Sequence, residues 1–484
     1  MFRAPHVDFT HLVPYYLHGD GGRTYKKDSI LICSMFPALG EGTSSNPVDL
    51  YPVPGQPQKM KGRKRKHAHG DSTGQDFEAG INLLGNTLAS RFLFAALKVE
   101  FYKKNRKRFE TLMDTWGKWM QQMFEEGFSY NGETWRILVL GLSGDAPFLR
   151  EAGFHNRSFS NVSKSASATT VLKGVCWLCD AGRTGGPNFE DPDILNAAWV
   201  STTGINNPLP WDDEPGPLLQ HLLANQNDLA SFYLPDIFHI YHFGVGKDFV
   251  ASSLIYLIKT AFKKNNMAVG MDAFNARLQA HFLQHKSDRC HFGKTMTFDL
   301  LGYSSSKDYP TGHWSKGADT ASLCKVVECI TGEVLVASAD LCDDWILKTI
   351  LAAATALGNF FRVVFRSPYK LKPEDAQSAI LDVYRFCRLY VLLAHRCLTQ
   401  KLCLFKVKPK AHMLCHIVRK MWVRYHIDPN SVTNPLAFST FQGEDFVGRV
   451  ARISRRVSAK LHGVKIMHRY LVGIEIALEE EVAG

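Results

Sequence analysis

Two short apolar runs in this chain each end in Gly-Asp, and a helical stretch lies between them. The first, LVPYYLHGD, ends at Asp20; GDGG then reads as a turn and SILICSMF as a second strand, so a β-hairpin is predicted at the start. The second, ILVLGLSGD, ends at Asp145, and its residues 137–142 read as a strand buried on both faces. Between them lie a Pro-, Gly- and Ser-rich basic loop at 40–74 and helical spacing of apolar residues over 76–127. A hairpin, a helix and a buried strand are an order that brings two strand ends side by side. A lone acid at a strand end is more often a turn residue or a helix cap. The expectation that Asp20 and Asp145 act together therefore rests on the pair, and the glycine before each leaves room around it.

The rest of the chain reads differently. GVCWLCDAG follows a Ser/Asn/Thr-rich stretch, and residues 191–216 are rich in Pro, Asp and Asn and predicted irregular. Helical patterns such as FVASSLIYLIKTAF and AILDVYRFCRLYVLLAH fill most of 217–425, and EDFVGRVARISRRVSAKLHGVKIMHRYLVG closes the chain as one predicted helix. No internal repeat is visible. The most apolar window, 345–365, carries Lys348, Asn359 and Arg362, which suits a buried core helix rather than a membrane span. MFRAPHVDFT has no signal-peptide pattern. At 484 residues the chain exceeds one ordinary core. The predicted class is α/β, a mixed sheet interrupted by a long, mostly helical insertion. Its units are 1–165 and 431–484 as the core and 166–430 as the insertion.

Three acids could carry metal chemistry. Two-metal phosphoryl transfer needs carboxylates converging on divalent ions, and Asp20, Asp145 and Glu444 are the candidates. Glu444 opens the final helix, where a first-turn acid also favours the helix dipole, and the adjacent Asp445 is its rival. Cys176 and Cys179 form C-x-x-C, and His412 and His416 form H-x-x-x-H one helical turn apart. Two thiolates and two imidazoles make a tetrahedral structural zinc site; Cys415 competes with His416 as the fourth ligand. PDIFHIYHFGVGKDF holds Asp236 and His239, whose plainer reading is a capped helix start.

Lys and Arg number 57 against 46 Asp and Glu, a net charge of +11, which fits a polyanionic partner. The loop residues Lys59, Lys61, Arg63, Lys64, Arg65 and Lys66 suit a nuclear localisation signal or a DNA contact. A second cluster is Lys103, Lys104, Arg106, Lys107 and Arg108. A third is Arg449, Arg452, Arg455, Arg456 and Lys460, of which Arg449, Arg452 and Arg456 fall on one face at helical spacing and could hold a phosphate backbone. Solvated faces explain such clusters equally well. Eleven unevenly spaced cysteines suit a reducing compartment.

The order of a first Asp on a hairpin strand, a second Asp after a strand, C-x-x-C, D-x-x-H, H-x-x-x-H and a late Glu resembles eukaryotic DDE transposases of the hAT, CMC, Plavaka and KDZ type. The catalytic subunit of the V(D)J recombinase shares that layout. The stretches PDIFHIYHFGVGKDF and KPKAHMLCH look most like the P-D-x-x-H and P-K-x-H segments of Plavaka and KDZ proteins. The resemblance implies an RNase H-like fold interrupted between the second Asp and the Glu. It implies Asp20, Asp145 and Glu444 as ligands of two Mg²⁺ or Mn²⁺ ions, and Asp236 and His239 as the family signature. Cys176, Cys179, His412 and His416 are then ligands of a structural Zn²⁺. It further implies DNA strand cleavage and transfer on double-stranded transposon ends and target, a homo-oligomer, a nuclear location and no membrane. Members usually carry a DNA-binding region before the first Asp, whereas Asp20 lies near the beginning here. That departure keeps two other classes open, a catalytically silent transposase-derived DNA-binding protein and a free-standing RNase H-like nuclease.

Overall fold

A computed structural model describes residues 9–24, 28–40, 42–43, 80–162, 171–263, 266–293, 295–458 and 461–483. The basic loop from Lys59 to Lys66, and Lys460, lie outside them.

Among the described residues, the strands lie in the first third of the chain. Strand β1 (Leu12–Arg23) pairs antiparallel with β2 (Ser29–Pro37). The short β3 (Leu39–Gly40), β4 (Gly42–Thr43) and β5 (Gly80–Leu83) form a small sheet of their own. After the one-turn helix α1 (Thr87–Ser90), β6 (Phe92–Lys98) adds to the outer edge of β2. Helices α2 (Val99–Lys103) and α3 (Arg106–Glu125) follow. The hairpin of β7 (Phe128–Tyr130) and β8 (Glu133–Gly144) comes next, and β8 lies parallel to β1. The result is a five-stranded mixed sheet in the order β6-β2-β1-β8-β7.

Alternation along β2 explains how the sheet is covered. Leu31 and Cys33 enter the main core with Phe109, Met113 and Trp116 of α3, while Ile30 and Ile32 point to the other face. There they meet α12 (Phe441–Ser454) and α13 (His462–Ala483) through Phe446, Val450, Ile466 and Tyr470. The central β1 is buried continuously from Tyr16 to Asp20 because both faces are occupied.

Helix α4 (Ala146–Gly153) leaves the end of β8, and the chain then runs irregularly as far as α5 (Leu218–His221). The helical block comprises α6 (Gly246–Leu257), α7 (Met267–Gln284), α8 (Gly317–Ala337), α9 (Trp345–Arg366), α10 (Pro373–Thr399) and α11 (Pro409–Ile427). Helix α9 is long and apolar enough to cross a membrane by length and composition. Its Ile350, Ala353, Leu357, Phe360 and Val364 are buried in the main core, where α9 packs on α8 and α10.

Four local expectations change. GDGG is not the turn: β1 continues to Arg23, Asp20 pairs with Ile32, and the turn is closed by Thr24 N–H to the Asp28 carbonyl at 2.9 Å. Gly22 instead sits under α12, where a Cβ would press on Ala451, Ile30 and Ile32 at 3.1–3.3 Å. FLFAALK has helix-forming residues but is β6, because its backbone completes the open edge of β2. Strand β8 is not buried on both faces throughout: Leu140 is 36% exposed, and only Gly141–Gly144 is fully enclosed. The closing helix is two helices. The chain turns after Ser454, Leu461 takes a left-handed φ of 56°, and His462 Nε2 donates to the Ser454 carbonyl at 3.2 Å.

Candidate metal centres

Asp20 and Glu444 come from opposite ends of the chain and meet above the centre of the sheet. Strand β1 supplies Asp20, buried, with Oδ1 accepting from Gly21 N–H at 2.6 Å. The first turn of α12 supplies Glu444. Gly443 lets that turn approach β1, since a Cβ there would lie 2.9 Å from the His18 ring. The third member is His239, at the start of the turn Phe238–Val245. Ligand atoms of Asp20, His239 and Glu444 all lie within 4.8 Å of one another.

His239 is tightly oriented. Its Nδ1 lies 2.7 Å from Asp236 Oδ2, and its Nε2 lies 3.2 Å from Glu444 Oε1. Asp236 is fully enclosed and accepts from the N–H groups of Phe238, His239 and Thr440 and from Thr440 Oγ1. Burial would raise the Asp236 pKa, but His239 and the Thr440 bonds outweigh it and hold it low. Burial would lower that of His239, but its bonds to Asp236 and Glu444 raise it well above the usual imidazole range. Asp20 is pushed well up by burial and by the hydrogen bond and charge of Glu444. Glu444 is itself drawn down against burial by His239 and Asp20. The two carboxyls thus oppose each other, with Glu444 Oε1 enclosed 3.2 Å from His239 Nε2. A divalent cation between them would offset that opposition and satisfy both groups.

Asp145 stands one strand away. Gly19 and Gly144 are partners across the parallel β1–β8 pair, so Asp20 and Asp145 leave neighbouring strands at one level. The room beside these glycines is taken by Phe148 of α4, whose ring a Cβ on Gly19 would overlap at 2.0 Å. Asp145 caps α4, with Oδ1 accepting the Phe148 N–H at 2.7 Å, and it is not in the three-residue group. Asp445 points elsewhere, bound by Thr87 Oγ1 and Arg449 Nε at 2.7 Å each. A cleft of about 1440 Å³ opens beside Asp145, Asp236 and His239 and is also lined by Arg106, Arg150 and Lys410.

The second centre is complete. Cys176, Cys179, His412 and His416 are all buried with ligand atoms within 4.8 Å. Individual separations are 3.2 Å for Cys179 Sγ–His412 Nε2, 3.4 Å for Cys176 Sγ–His416 Nε2 and 3.1 Å between the two Nε2 atoms. A tetrahedral zinc with Zn–N and Zn–S bonds of about 2.0 and 2.3 Å has ligand–ligand edges of roughly 3.3–3.7 Å, close to what is found. Burial would raise Cys176, but Cys179 and the two imidazoles draw it well down; Cys179 is raised by burial and by its neighbour. A cation between the four side chains would allow both sulfurs to be thiolates. The loop is held from behind by Arg157, which donates to the Cys176 and Cys179 carbonyls and to Asn207 Oδ1. Trp199 packs on both imidazoles, with ring centroids 4.9 and 4.7 Å away. Cys415 is not in the four-residue group; it is a free, buried thiol in hydrogen-bond contact with the free Cys387 of α10.

The basic residues are scattered. Arg449 is tied to Asp445, Arg452 is exposed, and Arg456 lies beyond the end of α12, so the three do not share a helix face. Arg455 donates to the Arg23 carbonyl. The run 103–108 bridges two helices, with Arg106 over the Phe154 ring at 4.5 Å.

No family model and no curated protein matches this chain. Sequence reasoning named His239 only as part of a signature and missed its place beside Glu444. It also missed Thr440, Arg157, Trp199 and Lys410; of these only Lys410, two residues before His412, had a local signal.

Proposed function

We propose that this chain is the RNase H-like catalytic core of a DDE-type transposase, cleaving and transferring DNA strands with divalent cations. The observation that carries the reading is the meeting of Asp20 and Glu444 at the sheet centre, with Asp145 leaving the adjacent strand at the same level. The sheet supports it: an antiparallel meander β1-β2-β6, a helix, a strand parallel to β1, and after the helical block a helix returning to the sheet with an acid in its first turn. This order is in keeping with the interrupted layout which the resemblance implies.

Asp20, Glu444 and His239 would hold one Mg²⁺ or Mn²⁺, and Asp145 would contribute from the neighbouring strand through Oδ2, which has no hydrogen bond among the described residues. When bound, such ions activate the attacking hydroxyl and neutralise charge on the leaving oxygen. Asp236 and Thr440 keep the His239 ring aimed at Glu444. The cleft beside Asp145 gives a phosphodiester access to this edge of the site. Double-stranded DNA as transposon end and target, a homo-oligomer and a nuclear location belong to the same reading, and the Cys/His centre would hold a structural Zn²⁺.

One observation favours a second reading. Asp145 is engaged as a helix cap, which suits a catalytically silent DNA-binding derivative. Metal-dependent cleavage of a plasmid by the wild-type chain and by Asp145→Asn separates the two. The proposal expects wild-type cleavage and its loss in the variant with DNA binding kept; full cleavage by the variant overturns the triad. Products in which a 3′-hydroxyl has joined a second duplex separate a transposase from a free-standing nuclease.

A further inference from the structure

The lysine of the P-K-A-H stretch belongs to neither metal centre. Lys410 lies in the first turn of α11, two residues before the ligand His412. Its side chain is half-buried and its ammonium donates to the carbonyls of His239 at 3.0 Å and Phe243 at 2.9 Å. Those carbonyls belong to the wide turn Phe238–Val245, in which Phe243 (φ −110°, ψ 17°) and Gly244 (φ −139°, ψ −114°) leave helical geometry. A broken helical turn strands carbonyls that the next turn would otherwise satisfy. Lys410 satisfies two of them, and a Cβ on Gly244 would lie 2.4 Å from its Cδ, so its stem is packed into the break. Lys408, just before α11, pairs with Asp248 at 2.8 Å and pins the same helix end to α6.

We infer that Lys410 is a positioning residue through which the Cys/His centre sets the placement of His239. Helix α11, which carries His412 and His416 and would be clamped by a bound zinc, fixes the depth of Lys410, and Lys410 holds the His239 turn against Glu444. Bonds to carbonyls do this without bringing a further acid beside Asp20 and Glu444. The effect on catalysis rests on the function proposed above; the effect on local order does not.

Hydrogen exchange of the full zinc-loaded chain tests it, using Lys410→Met, which keeps the length of the stem, and Lys410→Arg. In Lys410→Met, amides of 238–246 should exchange at least about tenfold faster, because two bonds to a charged donor are lost. Zinc content and protection of α11 should stay as in the wild type, and Lys410→Arg should restore part of the loss. Cleavage should lose kcat with KM for DNA unchanged. Unchanged exchange at 238–246 in Lys410→Met with zinc retained overturns the inference. If Lys410→Met does not fold, Gly244→Ala, which drives a methyl into the lysine stem, should give the same local loss, and unchanged exchange there is equally fatal. A wild-type chain without metal-dependent cleavage overturns the proposed function and leaves the exchange result to decide this one.

Discussion

The two centres differ in a way that separates holding a fold from doing chemistry. The Cys/His centre has four ligands, all buried, each backed by a neighbour such as Arg157 or Trp199. The carboxylate centre has three mixed ligands, two of them partly accessible, with a further acid one strand away and a cleft at its side. Structural zinc sites are closed, and catalytic sites keep an open position. The closed centre joins the loop after α4 to α11, and α11 reaches the open centre through Lys410. Electrostatic tension between two neighbouring carboxyls is concentrated in the carboxylate centre.

The sharpest way to break this contrast is to open the closed centre. Cys176→Ser or His416→Ala should destabilise the chain by on the order of several kcal/mol, because metal binding and folding are linked there. Thermal melting with and without a zinc chelator reads it, and an unchanged midpoint in both would remove the structural role. Asp20→Asn should act in the opposite sense. It removes a like charge facing Glu444, so the metal-free protein should melt no lower than wild type, while metal-dependent cleavage falls by roughly a thousandfold or more. A clear loss of stability would mean that Asp20 is structural.

Asp145 can be divided between its two roles. Asn caps a helix about as well as Asp, whereas Ala costs about 1 kcal/mol. Asp145→Asn should therefore keep the melting temperature and lose cleavage, and Asp145→Ala should lose both. Equal melting of the two variants would show that the cap contributes nothing. The smallest effect is expected at the surface. Arg452→Ala should weaken DNA binding severalfold and reduce the salt dependence by about one unit of slope, uniformly across sequences; an unchanged slope in a salt titration removes Arg452 from the interface.

The two centres were also unequally visible in the sequence. Cys176 with Cys179, and His412 with His416, are local pairs whose spacing already carries the geometry, so four ligands could be named. The meeting of Asp20 with Glu444 depends on how α12 returns to the sheet, which no local spacing encodes. GDGG looks like a turn that ends the first strand at Asp20, whereas β1 runs on to Arg23 and Gly22 serves the packing of α12. FLFAALK lies within a stretch of helical apolar spacing, and pairing with β2 overrides that pattern. Arg456 was placed on a helix face that ends two residues earlier, at Ser454. His239 was found by motif, but its neighbour Glu444 is visible only in three dimensions.

Mn²⁺ binding tests the central claim most directly, followed by the loss of its free electron paramagnetic resonance signal on titration into zinc-loaded protein. Wild type should take up Mn²⁺, and Glu444→Gln and Asp20→Asn should each abolish that uptake with zinc content unchanged, while Asp445→Asn should leave it intact. Uptake that survives both Glu444→Gln and Asp20→Asn, or that fails in Asp445→Asn, would contradict a cation site built on Asp20 and Glu444.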